Sequence, residues 1–507
     1  MSNLLYEGSE WDFETIEKVY DACEKIAVEE LNLNLYKNQI EIISSEQMLD
    51  AYASSGLPVY YKHWSFGKHF MSEERQYKSG QRGLAYEIVI NSDPCINYLM
   101  EENSITTQTL VIAHAAFGHN HFFKNNYLFK EWTDATHIID YLLFARNYIA
   151  ECEEKYGPAL VEKVLDSCHA ISRHGVNKYH RPDKLNTAEE AEKQSEREEY
   201  IRQQYDILWS TLPDAALKKK KEQKSSELQQ PEENILYFLE KNSPILEPWQ
   251  RELLRITRKI SQYFYPQYQT KVMNEGWACF THFYIMNRLF DKGLVSAGAM
   301  LEFLPMHTNV VYQPTFDNQN FSGFNPYYLG FEMFRDIKRI CEEPTDEDRE
   351  WFPDIAGSDW LETCLSAVEN YRDESFIKQF LSPTLMRKMG LFLVNNNTSQ
   401  KEHYEVTAIH NGSGYKEIRN ALAKQHDIAT MIPDIQVSDV DFQESRKLTL
   451  KHTMSDGKEL TNELEKVAEH IKRLWGYQVE IQSRYEKPGK LRTLKYATSD
   501  TPQLTIE

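Results

Sequence analysis

The sequence has little that would tie it to a membrane, to nucleic acid or to an oxidising compartment. Among its 507 residues no uninterrupted apolar run reaches the roughly 18 residues a membrane-spanning helix needs. Positive charge is short too. The 57 Lys and Arg face 77 Asp and Glu, a net charge of −20, so the basic footprint of a free nucleic-acid or anionic-membrane binder is missing. The seven cysteines, at 23, 95, 152, 168, 279, 341 and 364, are odd in number and form no CxxC, which excludes a zinc ribbon and argues against a disulfide framework. Reduced thiols follow. The opening stretch MSNLLYEGSEWDFETIEKVYD carries five acidic residues before Lys18 and no apolar core, unlike an export signal. The expected home is the cytoplasm.

What is present is enough for an ordered globule: 41% hydrophobic residues, 12% of all residues aromatic, and a length that at about 150 residues per domain makes two to four domains. Apolar positions recur at three and four from about residue 10 to 35, and again over Thr107 to Phe123, Thr133 to Tyr156, Leu160 to Arg173, Pro248 to Tyr263, Asn274 to Phe290 and Tyr328 to Cys341, the period of amphipathic or buried helices. Two short β-rich stretches, Gln39 to Ser44 and Ala85 to Asn91, place a small sheet beside them. Residues 186–233 are charged, poor in aromatics and low in complexity, with Lys218 to Lys221 as a basic run; an insertion with solvated faces is expected there. After about residue 398 the order of periods becomes β-α-β-β-α-β, the split layout of a ferredoxin-like α+β domain. The sequence therefore divides into a mainly α core with a small β-sheet (1–397) and a C-terminal α+β domain (398–507). Gly412 and Gly414 in HNGSGYKE match neither a P-loop nor GxGxxG and read as a tight turn.

Chemistry concentrates in TQTLVIAHAAFGHNHFFKNN, where His114, His119 and His121 sit on a strongly apolar helix. A buried imidazole needs a hydrogen bond or a metal. A later helix, NEGWACFTHFYIMNRLF, adds Glu275 and His282 at i,i+7, near one face. A carboxylate among Trp277, Phe280, Phe283 and Tyr284 is costly unless paired or bound to a cation. Two histidines and a later glutamate form the His2Glu set of catalytic zinc sites. Helical geometry resists it: His114 and His119 are five apart, about 140° around a regular helix. Gly118 offers the way out, and a π-bulge or kink is predicted between the two histidines. His121 shares the face of His114 but stands about 10.5 Å further along the axis. His307, after Pro305 in FLPMHTNVVYQP, is expected on irregular backbone near polar groups, as a fourth ligand or a support for one. In DSCHAISRHGVNKYHRP the residues Asp166, Cys168, His169, His174 and His180 also gather donors, but His174-Gly175 reads better as a helix C-terminus.

HAAFGHNHFFKNN, NEGWACFTH, FLPMHTNVVYQP and NPYYLGFEMFRDI, in that order, resemble the stage V sporulation protein R (SpoVR) family over most of the chain. That resemblance implies a link to spore-cortex formation or, in non-sporulating relatives, to stress physiology alongside a PrkA-type serine kinase and a von Willebrand A-like protein. HAAFGH with NEGWA is also similar to the paired HE…GH and EGWA motifs of some zincin-type metallopeptidase relatives. Carried over, it implies a zincin-like helical core with zinc on His114, His119 and Glu275. The zincin general base is the Glu after the first His, and this chain has Ala115 there.

Two functions remain open. The first is a cytoplasmic zinc-dependent amide or peptide hydrolase acting on peptidoglycan-related material, with Glu275, His282 and His307, or a tyrosine of Asn325-Pro326-Tyr327-Tyr328, in its catalytic apparatus. The second is a regulatory scaffold whose metal only staples helices within the kinase pathway. A carboxylate-bridged di-iron oxidase needs more glutamate near the histidines than the motifs supply.

Overall fold

The computed structural model describes residues 4–53, 61, 63, 87–178, 231–316, 318, 321, 323–396, 404–442, 444–453, 460, 464–487, 490–498 and 503–506. The charged segment expected at 186–233 lies outside them apart from its last three residues, and Lys218 to Lys221 and His180 lie outside them entirely. Two compact units result, one formed by 1–163 with 259–432 and the other by 164–258 with 433–507. The expected boundary at 397/398 falls inside the first unit, because the hairpin and helix that follow it pack there.

The first unit is mainly helical. Asp12 caps its opening helix, Phe13–Glu29, by accepting from Thr15 N at 2.7 Å, which satisfies a free first-turn donor. Its buried face, Ile16, Val19, Cys23 and Ile26, joins a core built around Phe117, Phe122, Trp277, Phe303, Phe334 and Phe376. The small sheet has the order β1 (Asn38–Ile43), β3 (Cys95–Met100), β2 (Glu87–Ile90); β1 runs parallel to β3 and β2 antiparallel to it, with Glu87 opposite Leu99. Side chains alternate along β2: Ile88 packs with Met48, Leu49 and Met100, while Val89 packs on the main helical core. A period of two puts Glu87 on the side of Val89.

The helix carrying the histidines begins at Ser104, whose hydroxyl accepts from Thr107 N at 3.2 Å. It runs as an α-helix over Ile105–Ile112, as a π-helix over Ala113–His119 and again as an α-helix over Asn120–Asn125. The predicted distortion is therefore present. Asn120 N donates to Ala115 O, five residues back, and this wider turn brings i and i+5 onto one side.

The helix Ala297–Val310 contains Pro305, and His307 is helical within it. The irregular backbone expected there is corrected. Proline strips the Leu301 carbonyl of its helical donor, and Leu301 is 73% exposed, so water can replace the bond.

In the second unit a five-stranded sheet has the order β10 (Gln503–Ile506), β9 (Lys490–Ala497), β8 (Val479–Lys487), β7 (Leu448–Thr453), β6 (Asp434–Val440). Only the β7–β8 pair is parallel, and the helix Leu464–Trp475 makes that crossover. The ferredoxin-like expectation fails on pairing rather than on order. The intended first strand, β5 (Tyr404–Ala408), pairs with β4 (Leu393–Asn396) in the first unit, and β9 and β10 extend the sheet instead. The tight turn expected at Gly412 and Gly414 is corrected: both lie in the first turn of the helix Gly412–Gln425, whose N-cap Asn411 accepts from Gly414 N at 2.8 Å. Ser172–His174 form one 3-10 turn closed by Gly175 N on Ser172 O, and the donors around Cys168 assemble no metal-sized group among the described residues. All seven cysteines are free and buried. Among the described residues no helix is long and apolar enough to cross a membrane.

Candidate metal centre

Three elements of the first unit build the site, and each is held by a contact the sequence makes possible. The helix Lys271–Asp291 has no cap of its own at Thr270. Asp373, a hundred residues on, supplies it: its carboxylate accepts from Val272 N and Met273 N, both at 2.9 Å. Burial pushes the Asp373 carboxyl up to about 7. Gly118 of the π-helix lies against the backbone of Ala278. On the opposite flank Gly276 meets Gly330 of the helix Pro326–Glu342 backbone to backbone, a closeness only glycine permits. That contact sets Tyr327, one turn before Gly330, beside Glu275.

His114, His119 and Glu275 converge. Glu275 Oε2 lies 3.8 Å from His114 Nε2 and 3.5 Å from His119 Nε2. A fourth group joins them from the sheet: Glu87 Oε1 is 3.2 Å from His114 Nε2. Glu87, His114 and His119 each place a donor atom within 4.8 Å of the others. Four donors around one first-row dication, with ligand bonds of about 2.0–2.1 Å, stand about 3.3 Å apart in a tetrahedron. The three separations of 3.2, 3.8 and 3.5 Å are near that size, and the two to Glu275 are long for hydrogen bonds.

His119 carries the sharpest information. Its Nδ1 donates to Asn274 Oδ1 at 2.9 Å, and burial depresses its pKa to about 4, so at neutral pH the ring is uncharged and Nε2 holds a lone pair. That lone pair faces Glu275 Oε2, itself buried without a hydrogen-bond partner. Two acceptors turned toward one another are the arrangement a cation resolves. An amide oxygen behind the imidazole is also how ligating histidines are oriented.

Charge within the cluster is strongly coupled. Burial raises the Glu87 carboxyl to about 7, opposed by His114 and assisted by Glu275. Burial works against a charged His114, yet the negative charge of Glu87 and the nearby Cys279 and Glu275 raise it well above its usual value. Burial likewise opposes ionisation of Glu275, but His114 and His119 hold its carboxyl below the usual range. Without a cation the pocket is thus held by a His114 imidazolium between carboxylates. The charge of Glu275, then burial, pushes the Tyr327 phenol far up.

His282 and His307 stand elsewhere. His114 Nδ1, the nitrogen remote from the carboxylates, is 3.0 Å from His282 Nδ1, and His282 Nε2 is 2.8 Å from His307 Nδ1. Both therefore lie behind His114, in a line leading away from Glu87 and Glu275. The polar surroundings expected of His307 are replaced by the rings of Phe283, Phe303 and Phe331. His121 turns away, its Nδ1 accepting from Asn34 N at 3.2 Å and Asn125 Nδ2 at 3.1 Å, as its distance along the helix predicts. Glu87 is the residue that motif reading missed. Its one signal was a lone carboxylate in the apolar strand AYEIVIN. Cys279 is buried beside His114 and His282.

A chain with a buried His/Glu cluster in a mainly helical unit and an α+β sheet toward its C-terminus matches two family models that meet between residues 431 and 433. The family model for SpoVR-like protein covers residues 10–431, and that for the SpoVR-like C-terminal domain covers 433–486. The chain belongs to the SpoVR family. It is 53% identical over 482 residues to the uncharacterized protein YcgB of Escherichia coli (strain K12), spanning 95% of this chain and 94% of that one. No solved structure matches the chain.

Proposed function

We propose that this chain is a cytoplasmic metal-dependent amide hydrolase, its ion held by His114, His119 and Glu275 and its acid-base group supplied by Glu87. The observation that carries the reading is His119 Nε2, on a ring whose Nδ1 is bonded to Asn274 Oδ1, facing the unpartnered Glu275 Oε2 at 3.5 Å. The donor set of two imidazoles and a carboxylate suits zinc, which when bound polarises a carbonyl and acidifies a water. Glu87 stands where the missing helix glutamate would be needed, on the carboxylate side of His114, so Ala115 no longer leaves the site without a base. It takes the proton from the attacking water and returns it to the leaving amine. The Tyr327 hydroxyl, beside Glu275, donates to the oxygen on which charge develops. His282 and His307 position His114 and touch no reacting atom. The zincin resemblance of HAAFGH and NEGWA supports the ligand assignment. Peptides from peptidoglycan are the substrate class, a choice that rests on the family's link to the spore cortex.

The near-complete burial of His114 and His119, 4% and 7% exposed, favours a second reading, an ion that only staples helices in a scaffold serving a PrkA-type kinase and a von Willebrand A-like protein. The test is mass-spectrometric detection of amide cleavage in cell-wall peptides by the zinc-loaded chain and by Glu87→Gln. The hydrolase reading expects cleavage by the parent and a loss of about 10²–10⁴-fold in a variant that still holds zinc. Zinc that is bound, raises the melting temperature and accompanies no cleavage establishes the scaffold.

A further inference from the structure

Behind the carboxylate cluster, the opposite edge of His114 meets a second donor group that the hydrolase reading leaves without a role. Cys279 lies one turn beyond Glu275 and His282 one turn beyond Cys279, all on the helix Lys271–Asp291. His114, Cys279 and His282 each bring a ligand atom within 4.8 Å of the others, and all three are buried. We propose that His114 Nδ1, Cys279 Sγ and His282 Nδ1 form a second cation site, selective for a soft or borderline ion.

Four observations carry it. The two Nδ1 atoms are 3.0 Å apart, a spacing that serves one hydrogen bond or two nitrogens sharing an ion equally well. The far nitrogen of His282 is occupied by His307 at 2.8 Å, so the ring is locked with Nδ1 toward His114. Partners of this kind orient histidine ligands. The buried Cys279 Sγ lies within 4.8 Å of a ring nitrogen of each histidine and comes from the same helix face as Glu275. Finally, the two edges of the His114 ring have different neighbours: the carboxylates Glu87 and Glu275 at Nε2 and the imidazole of His282 at Nδ1. Thiolate with imidazole selects zinc, cadmium, cobalt(II) or copper(I) over magnesium or calcium.

Proton accounting is definite. With His114 Nε2 given to the first ion, His114 Nδ1 still carries a proton that it donates to His282 Nδ1. His282 Nε2 then donates to His307 Nδ1. Filling the second site expels the His114 Nδ1 proton and the Cys279 thiol proton, so two protons leave and His114 bridges as imidazolate. Filled alone, the second site expels the same two protons, and His114 keeps its Nε2 proton and binds as a neutral imidazole.

The proposal does not rest on the hydrolase reading, in which Cys279 has no role and His282 only positions His114, and cobalt(II) titration of the reduced full-length chain separates the two. The parent is expected to bind two equivalents, one of them producing a thiolate-to-cobalt charge-transfer band. Cys279→Ser, a near-isosteric change, is expected to lose that band and one equivalent while the other remains. His282→Ala is expected to lose the band and that equivalent and, because His282 holds His114, to weaken the other as well. Glu275→Gln is expected to keep the band and lose the other equivalent. The proposal is overturned if the parent binds cobalt without the band, if the band survives Cys279→Ser, or if no cobalt binds. Loss of the equivalent sensitive to Glu275→Gln, with the band intact in the parent, instead overturns the carboxylate site alone.

Discussion

Gly118→Ala tests the packing that builds the carboxylate site. An added Cβ at 118 would lie 2.6 Å from Ala278 Cα and 2.9 Å from Ala278 Cβ. Non-bonded carbons rest at about 3.5–4.0 Å, so the two helices must separate by about 1 Å. Neither contact atom belongs to a flexible side chain, and no rotamer change relieves the clash. Overpacking of this kind costs about 1–3 kcal/mol. The separation acts where the ligands are, because His119 follows Gly118 and Glu275 precedes Ala278 by three residues. Metal sites hold their ligand distances to about 0.2 Å, so a displacement several times larger lowers affinity by at least the 10–100-fold lost when a ligand's support is removed. Zinc affinity is read by competition with a chromogenic chelator, and stability by thermal unfolding of the metal-free chain. Ala278→Gly added to Gly118→Ala removes the 2.9 Å contact and leaves the 2.6 Å one, so the double variant recovers little. Parental zinc affinity and unfolding temperature in Gly118→Ala would refute the reasoning.

Two further outcomes follow from buried charge. Burial depresses His121 from 6.5 to about 4; between those values the unfolded chain binds a proton the native one refuses, so the stability present above pH 6.5 is lost as pH falls. At pH 5 the loss is about 2 kcal/mol relative to pH 7, and denaturant unfolding at both pH values should show His121→Gln flattening the slope by that amount. Asp348, 1% exposed, accepts from Arg339 Nη1 at 2.6 Å, Arg339 Nη2 at 2.9 Å and Thr345 N at 2.9 Å; Asp348→Ala should cost about 3 kcal/mol, since Arg339 keeps Asp336, and a variant within a few tenths of the parent in urea unfolding would contradict this.

Local order was legible in the sequence, and partnership between distant segments was not. The helices over Thr133 to Tyr156 and Asn274 to Phe290 and the strands at Gln39 to Ser44 and Ala85 to Asn91 appear at Ile138–Tyr156, Lys271–Asp291, Asn38–Ile43 and Glu87–Ile90, because period and composition act within a few residues. The β-α-β-β-α-β order was also correct, yet β5 pairs with β4 and not with the strands after it. Strand order within a sheet is chosen by which surfaces meet, and alternation along one strand carries no record of its neighbour. The boundary at 397/398 failed for the same cause. A change of period marked where strands resume, whereas the helix Gly412–Gln425 buries Tyr415, Ile418 and Leu422 in the core of the first unit.

The candidate site divides along the same line, and its most useful signal was a misfit. Two histidines five apart on an apolar helix cannot serve one ion from regular geometry, so either the metal or the regularity had to go; the π-helix over Ala113–His119 shows that regularity went. A wide turn leaves an inserted residue without the usual helical bond, and such turns persist where the surroundings compensate. Here the compensation is visible: Gly118 lets the helix Lys271–Asp291 approach to backbone contact, and Asp373 caps that helix. Glu87 could not be found this way. It reaches the cluster through the pairing of β2 with β3, opposite Leu99, and shares no motif with His114. A sequence search for the missing base beside the first histidine therefore finds only Ala115, because in this fold the carboxylate nearest that histidine comes from a strand.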